Sequence, residues 1–233
     1  MPERRWSRWL PVSLLLGDNG LWDGHRHWPS FNAWCEANPR RACRLWLAST
    51  LLRELVCDEA LPLADDAAVL AWARPLLQHY HGEAALAWPL AAWQQGRRRG
   101  VSALQGVSLA VLRNAADDAG VRLLGVAPWW SLVLRRALKR HAALRRGSAR
   151  LLIVEGPCVA VIGLEVGSIK QLELRRLQAA EPDALSQWLQ DSAGPPPLAV
   201  GYGLAAGPVI GIDFAETLTG AAPSPRWLQG AFA

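Results

Sequence analysis

Three stretches decide the reading: Arg150 to Glu155 (Arg-Leu-Leu-Ile-Val-Glu), Cys158 to Leu164 and Ile169 to Leu177. Each is rich in β-branched and aliphatic residues and long enough for one strand. Gly156-Pro157 and Val166-Gly167-Ser168 join them. Links this short force an antiparallel meander, because a parallel return needs a crossover of a dozen residues or more. Asp183 to Gln190 follows with Leu185, Trp188 and Leu189 on one helical face. A Pro-rich loop then leads to Leu198–Tyr202, a short apolar strand. The order is strand, strand, strand, helix, strand.

Upstream, Val12 to Leu16, the turn Asp18-Asn19-Gly20 and Leu21 to Trp28 read as a hairpin. Asn-Gly tolerates the positive φ of a tight turn. Phe31 to Pro39 is a connection or a short helical turn. Arg44 to Ala48 and Leu51 to Cys57 read as two more strands. The period changes at Asp65 to Tyr80, where Ala68, Val69, Trp72, Leu76 and Leu77 fall at helical spacing. Leu86 to Trp93 is ambiguous because Pro89 interrupts it, and Gly96 to Gly100 reads as a loop. Ser108 to Ala119 is helical and Gly120 ends it. Val121 to Ala127 is a strand, and Pro128-Trp129-Trp130 opens a helix reaching about His141. The Gly147-Ser148 break divides the chain into residues 1–147 and 148–233.

The Val101 to Val133 region adds a second pointer. A helix ends in Asp117-Asp118-Ala119-Gly120, a strand runs from Val121 to Val126, and Pro128 begins another helix. This sequence of elements resembles the step before the second half of PilM-type actin-like proteins of type IV pilus assembly. It is also similar to the GspL-type cytoplasmic domain of type II secretion. The resemblance spans residues 100 to 202 and, more faintly, 11 to 57. It implies an α/β protein of actin-like, ribonuclease-H-like architecture, with two mixed-sheet subdomains and a cleft between them. The first subdomain is expected to be degenerate.

The resemblance also implies a role: a non-catalytic platform or adaptor that docks components of a pilus or secretion machine. Strand addition at a sheet edge, or a peptide laid in the cleft, is the expected mode. In nucleotide-binding relatives an Asp and small residues stand at each phosphate-facing hairpin turn. The matching turns here are Asp18-Asn19-Gly20 and Glu155-Gly156-Pro157-Cys158. The second has no Asp, Ser or Thr, and Pro157 lacks the N–H that a phosphate cradle uses. The adenosine-side glycines would fall at Gly201-Tyr202-Gly203. No cofactor is therefore expected, with ATP and Mg²⁺ as the alternative. A ribonuclease-H-like nucleic-acid enzyme is a further alternative and needs Glu155, Glu165 and Glu173 to converge on metal.

Other chemistry is sparse. There is no P-loop, no G-x-S-x-G and no G-x-G-x-x-G after a strand. Cys35, Cys43, Cys57 and Cys158 lack paired C-x-x-C spacing, which argues for reduced thiols and against a zinc ribbon. His25 and His27 would share a face if they lay on one strand, so a chelate there stays open. No metal is otherwise expected.

Composition narrows the partners. The chain has 233 residues, with 51% hydrophobic and 19% charged, enough apolar mass for a large core. Net charge is +5, and Lys139 and Lys170 are the only lysines. Arg135 to Arg150 carries seven basic residues and no acid. Arg135, Arg136, Lys139 and Arg140, joined by Arg97, Arg98 and Arg99 and flanked by Trp129 and Trp130, form the expected partner-binding patch. The run from Arg135 to Arg150 reads first as a solvated helix end, since Lys139 and Arg140 suit a helix C-terminus. It reads more sharply as a site for an acidic protein surface or the anionic inner face of a membrane. Nucleic acid is not expected, since Tyr and Phe are scarce and only Trp129 and Trp130 offer stacking near the charge. Of the 13 Trp, surplus ones suit interfaces, and Trp6, Trp9, Trp22 and Trp28 are the candidates for exposed anchors. Leu10 to Leu16 is too short for a signal peptide core, and Pro195, Pro196, Pro197 and Pro208 interrupt the longest uncharged run. A cytoplasmic protein, at or near the inner membrane, is the expectation.

Overall fold

A computed structural model describes residues 10–190, 194–205, 213–214, 218–220 and 222–228. The chain begins with β1 (Val12–Gly17), β2 (Gly20–Trp22), β3 (His27–Trp28), α1 (Phe31–Ala37) and β4 (Ala42–Leu47). A 3₁₀ turn at Ser49–Leu51 leads into β5 (Leu52–Val56), α2 (Asp66–His81), β6 (Leu90–Gln95) and β7 (Arg98–Leu104). Then come α3 (Leu109–Asp118), β8 (Arg122–Pro128) and α4 (Trp129–Arg140). The last part holds β9 (Ser148–Glu155), β10 (Cys158–Glu165), β11 (Ser168–Arg176), α5 (Pro182–Gln190), β12 (Leu198–Tyr202), β13 (Asp213–Phe214) and α6 (Pro225–Leu228).

Two five-stranded sheets share one topology. The first has the order β3-β2-β1-β4-β8 and the second β11-β10-β9-β12-β13. In each, three antiparallel strands are followed by a helix, by a strand that pairs in parallel with the first, and by a last strand that pairs in parallel with that one. The meander expected from residues 150 to 177 is present, and the same order recurs in the first half. The second sheet holds its register closely: β9 and β10 pair from Glu155↔Cys158 to Ser148↔Glu165.

The third sheet, β5-β7-β6, is inserted between β4 and α3. It corrects two expectations. The ambiguous segment around Pro89 yields β6 from Leu90 onward, and Arg98 to Gly100 belong to β7 and not to a loop. The turn proper is only Gly96-Arg97. The helix over this sheet, α2, is capped by Asp65, whose carboxylate accepts from the Ala68 N–H at 2.8 Å.

Between the two large sheets lies a common core. α4 buries Trp129, Trp130, Leu132, Val133, Leu134 and Ala137 into it. Leu14 and Leu45 of the first sheet and Leu151, Ile153 and Ile162 of the second belong to the same cluster. The C-terminal α6 adds Trp227 and Leu228, both essentially inaccessible. It packs on α4 and β1, so these residues of the tail are docked on the first half of the molecule. The far face of the second sheet packs on α5 through Leu185 and Leu189. A separate cluster under α2 holds Val69, Ala73, Leu77, Val101 and Ala103. Among the described residues, no helix is long and apolar enough to cross a membrane.

Candidate docking sites

The shared topology places two hairpin turns opposite one another. Asp18-Asn19 is the two-residue loop between β1 and β2, closed by the pair Gly17↔Gly20. Gly156-Pro157 is the loop between β9 and β10, closed by Glu155↔Cys158. Both line a cleft of about 760 Å³ together with Ser49, Arg53, Arg176 and Tyr202. The sequence therefore brings Asp18, Asn19, Gly20, Glu155 and Gly156 to one place. Gly20 has φ +120, and an added Cβ would stand 2.5 Å from the Trp28 carbonyl oxygen, so only glycine fits.

Glu155 is buried at 5% exposure. Its carboxylate accepts from the Ser49 N–H at 2.9 Å and the Ser49 Oγ–H at 2.7 Å. Burial pushes its pKa up to about 7, while the Ser49 bonds pull the other way and Asp18 adds to the rise. The neighbouring Cys158 thiol is pushed up to about 11 by burial and by Glu155. A thiol held in that state is no nucleophile at neutral pH.

The second turn has no uncommitted N–H at its apex. The Gly156 N–H donates to the Tyr202 carbonyl at 2.9 Å, and Pro157 has no N–H. The glycines at 201 and 203 serve packing. A Cβ on Gly201 would lie 1.9 Å from the Val154 carbonyl oxygen, and one on Gly203 would lie 2.9 Å from the Gly156 nitrogen. Tyr202 sits between them with its ring 5.7 Å from that of Trp129.

Glu165 stands at the opposite end of the sheet from Glu155, where it accepts from the Ser148 Oγ–H at 2.6 Å. Glu173 pairs with Arg175. The three carboxylates do not converge as a two-metal nuclease requires. His25 lies in the bend before β3, while His27 is in β3 with Nε2 2.8 Å from the Asn19 carbonyl oxygen. They do not share a strand face, which removes the geometry that suggested a chelate. Among the described residues, no group of three or more His, Cys, Asp or Glu side chains is placed to hold a metal.

The expected basic patch is divided by the structure. Arg98 pairs with Glu59 at 3.0 Å, and Arg99 donates to the Leu63 carbonyl at 3.0 Å. Both guanidinia hold the β5–α2 loop to β7. Arg97 is exposed on its turn. Trp129 and Trp130 are 0% and 2% exposed, so they are core and not surface anchors. Alternate faces explain it: the helix that carries exposed Arg135 and Lys139 turns its apolar stripe inward. Arg136 is buried on that inner side, where burial and the nearby Arg140 and Arg135 charges hold its pKa down to about 10. Arg140 stands 5.4 Å over the Trp227 ring. Trp28 is also buried, its Nε1–H donating to Asp23 at 2.7 Å, and Trp22 is half-buried against the core. Trp6 and Trp9 lie outside the described residues.

Arg135 and Lys139 remain, and they line a second groove of about 560 Å³. Arg44 and Trp46 of β4, Gln95 at the end of β6, and Leu124 to Ala127 of β8 complete it. Among the described residues, no acid lines this groove. β8 is the edge of the first sheet, and its outer side has no ladder partner among the described residues. Leu124 is 39% exposed there, and nothing lies within 4 Å of where a Gly125 Cβ would be. Sequence reading missed Arg44 and the strand edge, since each depends on which strands come to be neighbours.

No protein-family model matches the chain, and no curated protein matches it in sequence. Solved structures do. The cytoplasmic domain of EpsL, an inner membrane component of the type II secretion system of Vibrio cholerae, aligns with a TM-score of 0.53 at 13% identity, over 93% of this chain and 92% of that one. The PilM–PilN type IV pilus biogenesis complex aligns with a TM-score of 0.54 at 12% identity, over 84% of this chain and 82% of that one. The fold is actin-like. The two five-stranded sheets have equivalent topology, and a cleft lies between their first hairpins. Identities this low establish the architecture and leave function to the site.

Proposed function

We propose that this protein is a non-catalytic docking platform of a type II secretion or type IV pilus assembly machine, working at the cytoplasmic face of the inner membrane. The observation that carries the reading is the basic groove between β4, β8 and α4, together with the unpaired edge of β8, on an actin-like body whose second phosphate-side turn has its apex N–H committed to Tyr202. An exposed strand edge offers a row of main-chain donors and acceptors to an extended segment. Arg44, Arg135 and Lys139 favour one that carries acidic side chains, and half-exposed Leu124 gives it an apolar contact. The partner is a protein component of the same machine, bound through such a segment, and no nucleotide is required.

Two measurements test this. Thermal unfolding with and without ATP and Mg²⁺ separates platform from nucleotide binder. Ligand at one hundred times its Kd would add about 2.7 kcal/mol, a shift of several degrees at this size. The platform reading expects none at millimolar ATP, and a clear shift that disappears in Asp18→Ala would replace it. Binding to cytoplasmic segments of the machine's inner-membrane proteins is expected to be lost in Arg135→Glu/Lys139→Glu. Equal affinity in that variant would exclude the groove.

A further inference from the structure

Glu54 is a carboxylate with three donors and two of them are indoles. It accepts from the Trp130 Nε1–H at 2.8 Å, the Ser102 Oγ–H at 2.8 Å and the Trp93 Nε1–H at 3.1 Å. The two indole rings meet edge to face, with centroids 5.3 Å apart. None of Glu54, Trp93, Ser102 and Trp130 lines the cleft between the hairpin turns.

Its partners are notable for where they lead. Trp93 lies on β6, and two residues further along the same strand Gln95 lines the basic groove. Trp130 lies in the first turn of α4, and the next residue, Ser131, lines the groove too, followed by Arg135 and Lys139. The two walls belong to elements with no shared ladder: β6 is in the inserted sheet, and α4 packs on the first and second. Glu54 is bonded to both. An indole N–H can only donate, so no rotation of Trp93 or Trp130 could replace the acceptor they share.

We propose that Glu54 is a positioning residue for the basic groove, fixing the β6 wall against the α4 wall by accepting from one indole on each. The inference rests on the docking reading for its functional meaning, while the geometry it asserts stands without it. Loss of the acceptor frees the inserted sheet to shift against α4, which widens the groove at Gln95 and disperses the contacts an extended segment would make.

The test is a distance measurement by paired spin labels at Gln95→Cys and Arg135→Cys, in a Cys158→Ser background. Wild-type Glu54 is expected to give one narrow distribution. Glu54→Gln preserves the shape but turns an amide N–H₂ towards indole donors, and it is expected to broaden or lengthen the distribution. Trp130→Phe, which deletes only one N–H and part of the ring, is expected to do the same. Leu77→Ala weakens the core of the same inserted sheet without removing any of the three hydrogen bonds to Glu54, and is expected to lower the melting temperature and leave the distance unchanged. In parallel, a synthetic decapeptide of alternating Glu and Val serves as the probe, with at least a tenfold loss of affinity expected in Glu54→Gln. An unchanged distance in folded Glu54→Gln overturns the proposal, as does a shift in Leu77→Ala as large as that in Glu54→Gln. Failure of the probe to bind wild-type protein counts against the docking reading alone, since the label distances report on Glu54 directly.

Discussion

Glu155 and Ser49 are 106 residues apart and are joined by the Ser49 N–H and the Ser49 hydroxyl, both donated to one carboxylate. Ser49 opens the turn after β4 in the first half, and Glu155 closes β9 in the second. One side chain therefore ties the two halves at the floor of the cleft. Ser49→Ala removes the hydroxyl bond and keeps the backbone one. A hydrogen bond to a charged or partly charged group is worth about 1.5–3 kcal/mol. The expected result is a melting temperature lower by several degrees, read by calorimetry at pH 7.

Two buried carboxylates make stability fall as pH rises. Glu54 and Glu155 are both pushed by burial from 4.5 up to about 7. Between those values the unfolded chain has released both protons and the folded chain still holds them. The folded state then binds more protons, so raising the pH favours unfolding. Their contribution is complete below about pH 4.5 and lost as pH passes 7. Urea midpoints are expected to drop from pH 5 to pH 8, by free energies on the order of a few kcal/mol in all. Glu54→Gln is expected to flatten part of this slope. A midpoint that rises over the same range would contradict it.

Two glycines in strands are expected to behave oppositely. Gly201 has φ +137, and its added Cβ would overlap the Val154 backbone at 1.9 Å, so Gly201→Ala is expected to prevent folding or cost more than about 3 kcal/mol. Gly125 meets nothing within 4 Å, so Gly125→Ala is expected to stay within about 1 kcal/mol of wild type. Denaturant titration of the two variants side by side checks both.

Trp227 fills a site between α4 and β1 at 1% exposure. Trp227→Ala is expected to cost about 3–5 kcal/mol, with a matching loss of chemical stability. The size of the effect measures how firmly the tail holds the first half.

The second half was legible because its signals are local. Alternating aliphatic runs and glycine turns at 156 and 167 dictate a meander whatever else the chain does. The inserted sheet was not legible. Three consecutive arginines break the apolar alternation that marks a strand, and the absorption of Arg98 and Arg99 by Glu59, the Cys57 carbonyl and the Leu63 carbonyl depends on a loop 36 to 41 residues earlier. Asp18 and Glu155 were found at the cleft because each closes a turn. Ser49 was missed since nothing around it signals a partner 106 residues away. Trp129 and Trp130 misled because aromatic residues beside a basic run look the same whether the helix buries them or shows them. Only the phase of α4 decides, and it points them inward.

The unpaired edge of β8 also governs how copies of the protein treat one another. Bare strand edges invite self-association, and a cell full of them would gel. Here an edge-to-edge meeting of two molecules brings together two copies of the groove that holds Arg44, Arg135 and Lys139. Repulsion between them acts over about 10 Å at 0.1 M salt and shortens as salt is added. The groove is thereby insulated against its own kind while open to an acidic guest. Sedimentation is expected to find single molecules in dilute buffer and the onset of pairing only in high salt.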